Sequence, residues 1–229
     1  MTEYLGPYQL GPAGPNVGIY YGDARELSKA IPDESIDLIF TDPIYQRIDD
    51  YRWLAETAAR VLKDGGNLVS FVSPNNQVEI ANIFTIKGFV WCDYLVLRET
   101  ARRRYNHGRK IVGLYEVAAW ASKGQHRLGK YVKNFSFVSN GYIKTDTFHD
   151  WEKPLEGITH WVERLSTDLV FDPFCGGGST LAACIKVGRK YLAFEIVKAT
   201  CEVARQRVRD TQPPLTGLVM PEQLSLLNA

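Results

Sequence analysis

The apolar stretch Leu169-Val170-Phe171 runs straight into Asp172-Pro173-Phe174-Cys175-Gly176-Gly177-Gly178-Ser179-Thr180, and a helix-forming segment, 180–187, follows at once. Strand, tight glycine turn and helix together make a module that brings backbone close to a ligand, because glycine accepts positive φ and carries no side chain. Such a module belongs to sheets whose strands alternate with helices. About 15 residues beyond the turn, where the next strand ends, stands Glu195, and an acidic residue at that place in nucleotide-binding sheets bonds the ribose hydroxyls. The three consecutive glycines do not fit G-x-G-x-x-G, and no Gly-Lys-Ser/Thr follows them. Dinucleotide and P-loop readings are therefore disfavoured, and a nucleoside cofactor without a pyrophosphate is favoured. A glycine turn that is only structural is the competing reading at this point.

The rest of the chain repeats the same rhythm. Apolar or alternating runs at 19–21, 36–41, 67–72, 89–97, 115–120, 169–171 and 191–195 read as strands. Helical spacing marks 24–31, 51–63, 75–86, 154–166, 180–187 and 198–209. In the second helix Leu54, Ala58, Val61 and Leu62 share a face, with Gly65-Gly66 as its expected stop. This alternation predicts an α/β fold with a doubly wound, mostly parallel seven-stranded sheet of Rossmann-like type. The whole of 1–229 reads as one domain, with a Gly/Pro-rich lead-in over 1–18, a weakly structured tail from Pro213, and an aperiodic break over 122–150. Ligands of such sheets sit at the carboxyl ends of strands, at a topological switch point. Gly22-Asp23, Asp42-Pro43-Ile44-Tyr45 and the 172–180 turn all fall at such ends.

The segment Thr41-Asp42-Pro43-Ile44-Tyr45 carries its own chemistry. The exocyclic amine of a nucleobase is a poor nucleophile, because its lone pair is delocalised into the ring. A carboxylate and a backbone carbonyl can each accept one of its N–H bonds, which fixes the nitrogen and pushes electron density toward it. An aromatic ring nearby can stack on a base that has left the helix. Asp42, the Pro43 carbonyl and Tyr45 would supply those three functions. On these residues alone, a proline turn with Asp42 capping the next helix is the favoured reading.

Taken together, these segments resemble the amino-methyltransferases of DNA (adenine-N6 and cytosine-N4), in their circularly permuted, β-type order. In that family a catalytic Asp-Pro-Pro-Tyr segment precedes an Asp-Pro-Phe-x-Gly-x-Gly cofactor loop, as 42–45 precedes 172–178 here. Gly22-Asp23, the run Ile36-Asp37-Leu38-Ile39-Phe40-Thr41, the turn at 60–66, Tyr115-Glu116 through Lys123, His149 through Lys153-Pro154, and Glu195 with Cys201-Glu202 are similar to further family segments, so the match covers 17–209. The resemblance implies S-adenosylmethionine as cofactor, with Asp23, Asp42, Lys153, Asp172, Phe174, Gly176, Gly178, Ser179 and Glu195 around it and no metal. It implies transfer to adenine N6 in double-stranded DNA, with Asp42, Pro43 and Tyr45 catalytic. Cytosine N4 and a DNA-binding relic without catalysis stay open as alternatives. One departure is Ile44, where the family usually has proline; this relaxes the restriction on residue 43 and implies a looser loop.

Net charge is only +1, so a DNA surface must be local. The stretch 98–110 supplies one, with Arg102, Arg103, Arg104, His107, Arg109 and Lys110 placed between two strands, able to give salt-dependent phosphate contacts. The resemblance puts a small target-recognition insertion at about 124–150, where Arg127 and Lys130 could reach DNA. Four scattered cysteines (Cys92, Cys175, Cys184 and Cys201) form no Cys-x-x-Cys pair, which disfavours zinc and disulfide frameworks and fits a reducing cytoplasm. No segment reads as a membrane span or signal peptide. A homodimer and a partner restriction endonuclease are further expectations of the resemblance.

Overall fold

The computed structural model describes residues 18–85, 88–98, 104–106, 111–113, 115–126, 131–137 and 155–211. In chain order the elements are β1 (Gly18–Tyr21), α1 (Ala24–Leu27) with a 3-10 turn at Ser28–Ala30, β2 (Ile36–Thr41), α2 (Ile48–Val61), β3 (Leu62–Val72) and α3 (Gln77–Phe84). Then follow β4 (Phe89–Arg98), β5 (Arg104–Asn106), β6 (Ile111–Gly113), β7 (Tyr115–Lys123) and β8 (Phe135–Phe137). The chain closes with α4 (Leu155–Leu165), β9 (Leu169–Asp172), α5 (Ser179–Lys186), β10 (Lys190–Glu195) and α6 (Lys198–Asp210).

The main sheet has the order β1-β10-β9-β2-β3-β7-β4-β8. From β1 to β3 all pairs are parallel; β7 runs antiparallel to both β3 and β4, and β8 is parallel to β4. The central strands are covered on both faces, and they alternate between two cores. Ile39 packs with Leu54, Ala58 and Val61 of α2. Its neighbours Leu38 and Phe40 pack with Ile158, Trp161 and Leu165 of α4. That two-sided burial is why these strands read as continuous apolar runs.

The sheet departs from the sequence reading in three places. It contains eight described strands rather than seven; the extra one, β8, comes from the segment read as irregular. Its registration rests on backbone bonding beside β4, with Val96 N–H donating to Asn134 O at 2.7 Å, and Phe135-Ser136-Phe137 is too short to show a period. The basic stretch read as a loop contains the hairpin β5–β6. Finally, α2 spans Ile48–Val61 and the glycine pair does not stop it. Leu62 is already extended (φ −72°, ψ 138°), and β3 starts there. Ile36 pairs with Leu62 but Leu38 pairs with Asn67, so 63–66 bulge out of the ladder. Gly65 supplies φ +79° for the bulge, and a Cβ on Gly66 would stand 2.9 Å from Lys63 O.

Asn67, 1% exposed, ties three elements together next to that bulge. Its Oδ1 accepts Trp120 Nε1–H of β7 at 2.9 Å, and its Nδ2 donates to Leu165 O of α4 at 3.0 Å. Asn67→Ala strands a buried donor and a buried acceptor, so a loss of about 2–4 kcal/mol in unfolding free energy is expected. Urea denaturation checks it; a loss below about 0.5 kcal/mol would mean that water replaces both bonds.

Candidate active site

The crossover from β9 through α5 leads to β10 on one side, and the crossover from β2 through α2 leads to β3 on the other. The adjacent strands β9 and β2 are therefore the switch point of the sheet, where their carboxyl ends part and leave a crevice. Both singled-out motifs open from these two ends. Thr41, the last residue of β2, donates its hydroxyl to Asp172 Oδ1 at 2.6 Å, and Phe174 N–H reaches the same oxygen at 3.2 Å. A cavity of about 190 Å³ lies above them, lined by Asp42, Asp172, Phe174, Gly176 and Ser179 among others.

Local chemistry fixes the glycine loop. Gly178 takes φ +81° at the N-cap of α5, and Gly176 takes φ +48° with nothing within 4 Å of where a Cβ would stand. Gly176 thus presents bare backbone to open space. Glu195, at the end of β10, accepts Gly176 N–H at 3.0 Å and Val197 N–H at 2.8 Å, one on each carboxylate oxygen. Each oxygen retains a lone pair for a further donor. The Glu195 carbonyl accepts Gly22 N–H at 2.9 Å, which brings the end of β1 to the same rim. There Asp23 spends its carboxylate on capping α1, accepting Arg25 N–H at 2.8 Å.

On the β2 side, Asp42 is exposed, Pro43 buried and Tyr45 half-buried. Asp42 does not cap α2, whose N-cap is Arg47 with no side-chain cap bond; the capping explanation for this segment falls away. The Tyr45 backbone is held by Asn76 Nδ2, which donates to its carbonyl at 2.8 Å. Its hydroxyl donates to Glu116 Oε2 at 3.3 Å, and the Asp42 charge acts on it as well. Burial first, then the charges of Asp42 and Glu116, push the phenol above its ordinary range, so Tyr45 is a neutral donor. Ile44 is 53% exposed at the tip of the loop.

Sequence reasoning did not single out several residues that build this site. Thr180 and Thr200 line the cavity, as does Arg207, which is 4% exposed. Arg207 donates to Ser179 Oγ at 3.0 Å and braces the start of α5. Its place on the buried stripe of α6 with Cys201 and Ala204 was available from helical spacing. Trp53 meets Phe174 edge-on at 5.6 Å, and Arg25 lies over Trp53 at 5.5 Å, contacts that no motif signals. Arg102, Arg103, His107, Arg109, Lys110, Arg127, Lys130 and Lys153 lie outside the described residues, and only the backbone of Arg104 is described, in β5. No His/Cys/Asp/Glu cluster among the described residues could hold a metal. No described helix is long and apolar enough to cross a membrane.

Asp172 is the electrostatically unusual member. Complete burial pushes its carboxyl up to about 7; bonds from Thr41, Thr180 and Phe174 N–H oppose that, and the Asp42 charge adds to it. Because the folded value lies above the unfolded one of 3.8, the folded chain holds a proton that the unfolded chain has lost between about pH 4 and 7. Stability from this group is fully present below that window and declines as pH rises through it. Comparing urea unfolding of the wild type and Asp172→Asn at pH 5 and pH 8, the wild type should lose on the order of a few kcal/mol more than the variant over that interval. Parallel profiles would show that Asp172 is charged throughout.

The family model described as DNA methylase, covering the N6 and N4 enzymes, matches residues 36–206. The chain belongs to the N6/N4 DNA methylase family. The Type II methyltransferase M.BamHI of Bacillus amyloliquefaciens is 26% identical over 91% of the chain and 61% of its own length. The chain therefore spans about three fifths of that relative. The Type II methyltransferase M.HinfI of Haemophilus influenzae is 26% identical over 85% of the chain and 69% of its own length. Among solved structures, the M1.HpyAVI–SAM complex superposes with a TM-score of 0.72 at 25% identity, covering 84% of this chain and 99% of that one. The cytosine-N4-specific PvuII DNA methyltransferase superposes at 0.73 with 20% identity, covering 96% of each, a likeness of fold.

Proposed function

We propose that this chain transfers the methyl group of S-adenosylmethionine to the exocyclic N6 amine of adenine in double-stranded DNA. The observation that carries the reading is the Thr41–Asp172 bond. It locks the strand that presents Asp42 to the strand that opens the glycine loop, so an amine at one and a cofactor at the other share one cleft.

The cleft suits the cofactor's chemistry. Bare backbone at Gly176 admits close approach, Glu195 has lone pairs for ribose hydroxyls, and the Asp42 carboxylate on the cavity wall favours a cationic sulfonium. Asp172, Phe174, Gly176, Gly178, Ser179 and Glu195 would hold it, and by the family resemblance Asp23 would lie near its adenine and Lys153 would help hold its methionine end. When bound, the cofactor supplies an activated methyl group. Asp42 and the Pro43 carbonyl accept the two amine N–H bonds and aim the nitrogen, and Tyr45 stacks on the base. Alignment then carries much of the rate: the amine lone pair would form the new N–C bond as the methyl–sulfur bond breaks with its electron pair left on sulfur, and the amine proton would pass to Asp42 or to solvent. The Asp-initial catalytic segment leans toward adenine by family resemblance; cytosine N4 obeys the same physics. The basic stretch at 98–110 supports phosphate contacts on a duplex, and the small recognition segment would gain from a second subunit.

The experiment is transfer of radiolabelled methyl to mixed-sequence duplex DNA, followed by digestion to nucleosides. Label in N6-methyladenosine is expected. Label in N4-methylcytosine would keep the mechanism and overturn the choice of base.

A further inference from the structure

α2 turns Tyr51, Leu54, Ala58 and Val61 onto the sheet, and all four are buried. Trp53 lies beside that stripe and stays partly exposed, so only part of it serves the core under α2. Its ring reaches the loop that leaves β9 and meets Phe174 there, with centroids 5.6 Å apart and planes at 68°. Among the described residues Phe174 lines the cavity and Trp53 does not. The two rings thus stand one behind the other at the rim of the cleft.

Trp53 is itself clamped. The Arg25 guanidinium lies 5.5 Å from its ring centroid, and Arg25 Nη2 donates to Asp50 Oδ1 at 2.7 Å. Asp50 and Trp53 are three residues apart and share a side of α2, so one guanidinium spans both. Asp50 is only 8% exposed, and leaving a buried carboxylate unpaired is costly, which fixes the charged end of Arg25. A cation over an indole face restrains the ring, and the edge-to-face contact with Phe174 is a favoured arrangement of aromatic pairs. The Phe174 backbone is tied by its N–H to Asp172 Oδ1 at 3.2 Å. What freedom remains to Phe174 is rotation of its ring, and Trp53 limits that rotation.

The geometry points to Trp53, clamped by Arg25, as a positioning residue that holds the Phe174 ring in the orientation in which it forms a wall of the cofactor cleft. This inference rests on the reading above that S-adenosylmethionine occupies this cleft, and is independent of which base receives the methyl group. A wall ordered before the cofactor arrives lowers the ordering cost of binding, so the contribution of Trp53 falls on cofactor affinity rather than on the transfer step.

Calorimetric titration of the full chain with S-adenosylmethionine tests this. Trp53→Leu, which keeps apolar bulk without a ring, should weaken binding by roughly five- to tenfold. Trp53→Phe, which keeps an aromatic edge for Phe174, should stay within about twofold of the wild type. In a Phe174→Leu background, Trp53→Leu should cost less than about twofold. Arg25→Met, which keeps the stem and loses the cation, should weaken binding by about two- to fivefold. In steady-state transfer the Trp53→Leu loss should fall on KM for the cofactor. Equal losses in the two backgrounds, or Trp53→Leu and Trp53→Phe binding alike, would make Trp53 a space filler and overturn the assignment. Should Trp53→Leu fail to fold, Trp53→Gln takes its place with the same expectations. Should Phe174→Leu bind too weakly to titrate, the comparison of Phe with the ringless residue at 53 decides. A wild type that binds the cofactor but labels no DNA sinks the proposed reaction and leaves these titrations to decide the role of Trp53. A wild type that binds no S-adenosylmethionine overturns both.

Discussion

Asp42→Ala lowers the rate of methyl transfer to DNA by about 10²- to 10³-fold, the range seen when one preorganised hydrogen-bonding group is removed from a reacting centre, and changes the cofactor's dissociation constant by less than about tenfold. The asymmetry follows from position. Asp42 stands one residue beyond the end of β2 on an exposed loop, whereas the glycine loop is held from β9, β10 and α6. Losing the carboxylate removes the acceptor that orients the amine and raises its electron density, and leaves the glycine loop intact. Asp42→Asn, which keeps one acceptor oxygen, should retain more activity than alanine. Single-turnover transfer and calorimetric titration with the cofactor separate the two effects. An Asp42→Ala chain that keeps its rate within threefold would remove Asp42 from the chemistry.

Gly178→Val damages the other half of the site. The backbone there has φ +81°, and a Cβ would meet Ala204 Cβ at 3.2 Å and Ala204 Cα at 3.3 Å on α6. A β-branched residue suffers both the left-handed conformation, roughly 1–2 kcal/mol, and a collision with a helix backbone that cannot swing away. The expected result is a stability loss of about 3 kcal/mol or more, together with loss of measurable cofactor binding. Gly176→Ala is the contrasting case: the conformation is again left-handed, but the space is open, so only about 1–2 kcal/mol is lost. Thermal unfolding of the two variants side by side decides; equal losses would show that α6 yields to accommodate a side chain at 178.

Much of this architecture was legible because strands buried on both faces announce themselves as apolar runs. Ile36–Thr41 and the segment leading into Asp172 needed only that signal, and the polar residues just beyond them marked the switch point. What was hidden depended on contacts across the chain. Nothing local tells that Asn67 bridges Trp120 and Leu165, or that Asp172, a plain turn residue in sequence, is buried enough to hold its proton near neutral pH. The helix and strand meeting at 61–62 misled for a physical reason. Leu62 satisfies both periods, and the glycine pair that looked like a helix stop shapes a bulge instead. Glu116 lay in a segment read as a strand, but its contact with Tyr45 depends on the antiparallel direction of β7, which periodicity does not reveal.

In the proposed function, one cleft at the β9–β2 switch point joins an activated methyl to a base amine on DNA. Incubating the full chain with methyl-labelled S-adenosylmethionine and duplex DNA tests it most directly. Label should stay with the DNA, disappear in Asp42→Ala, and weaken steeply with added salt. Cofactor bound by calorimetry with no label on any duplex would contradict it.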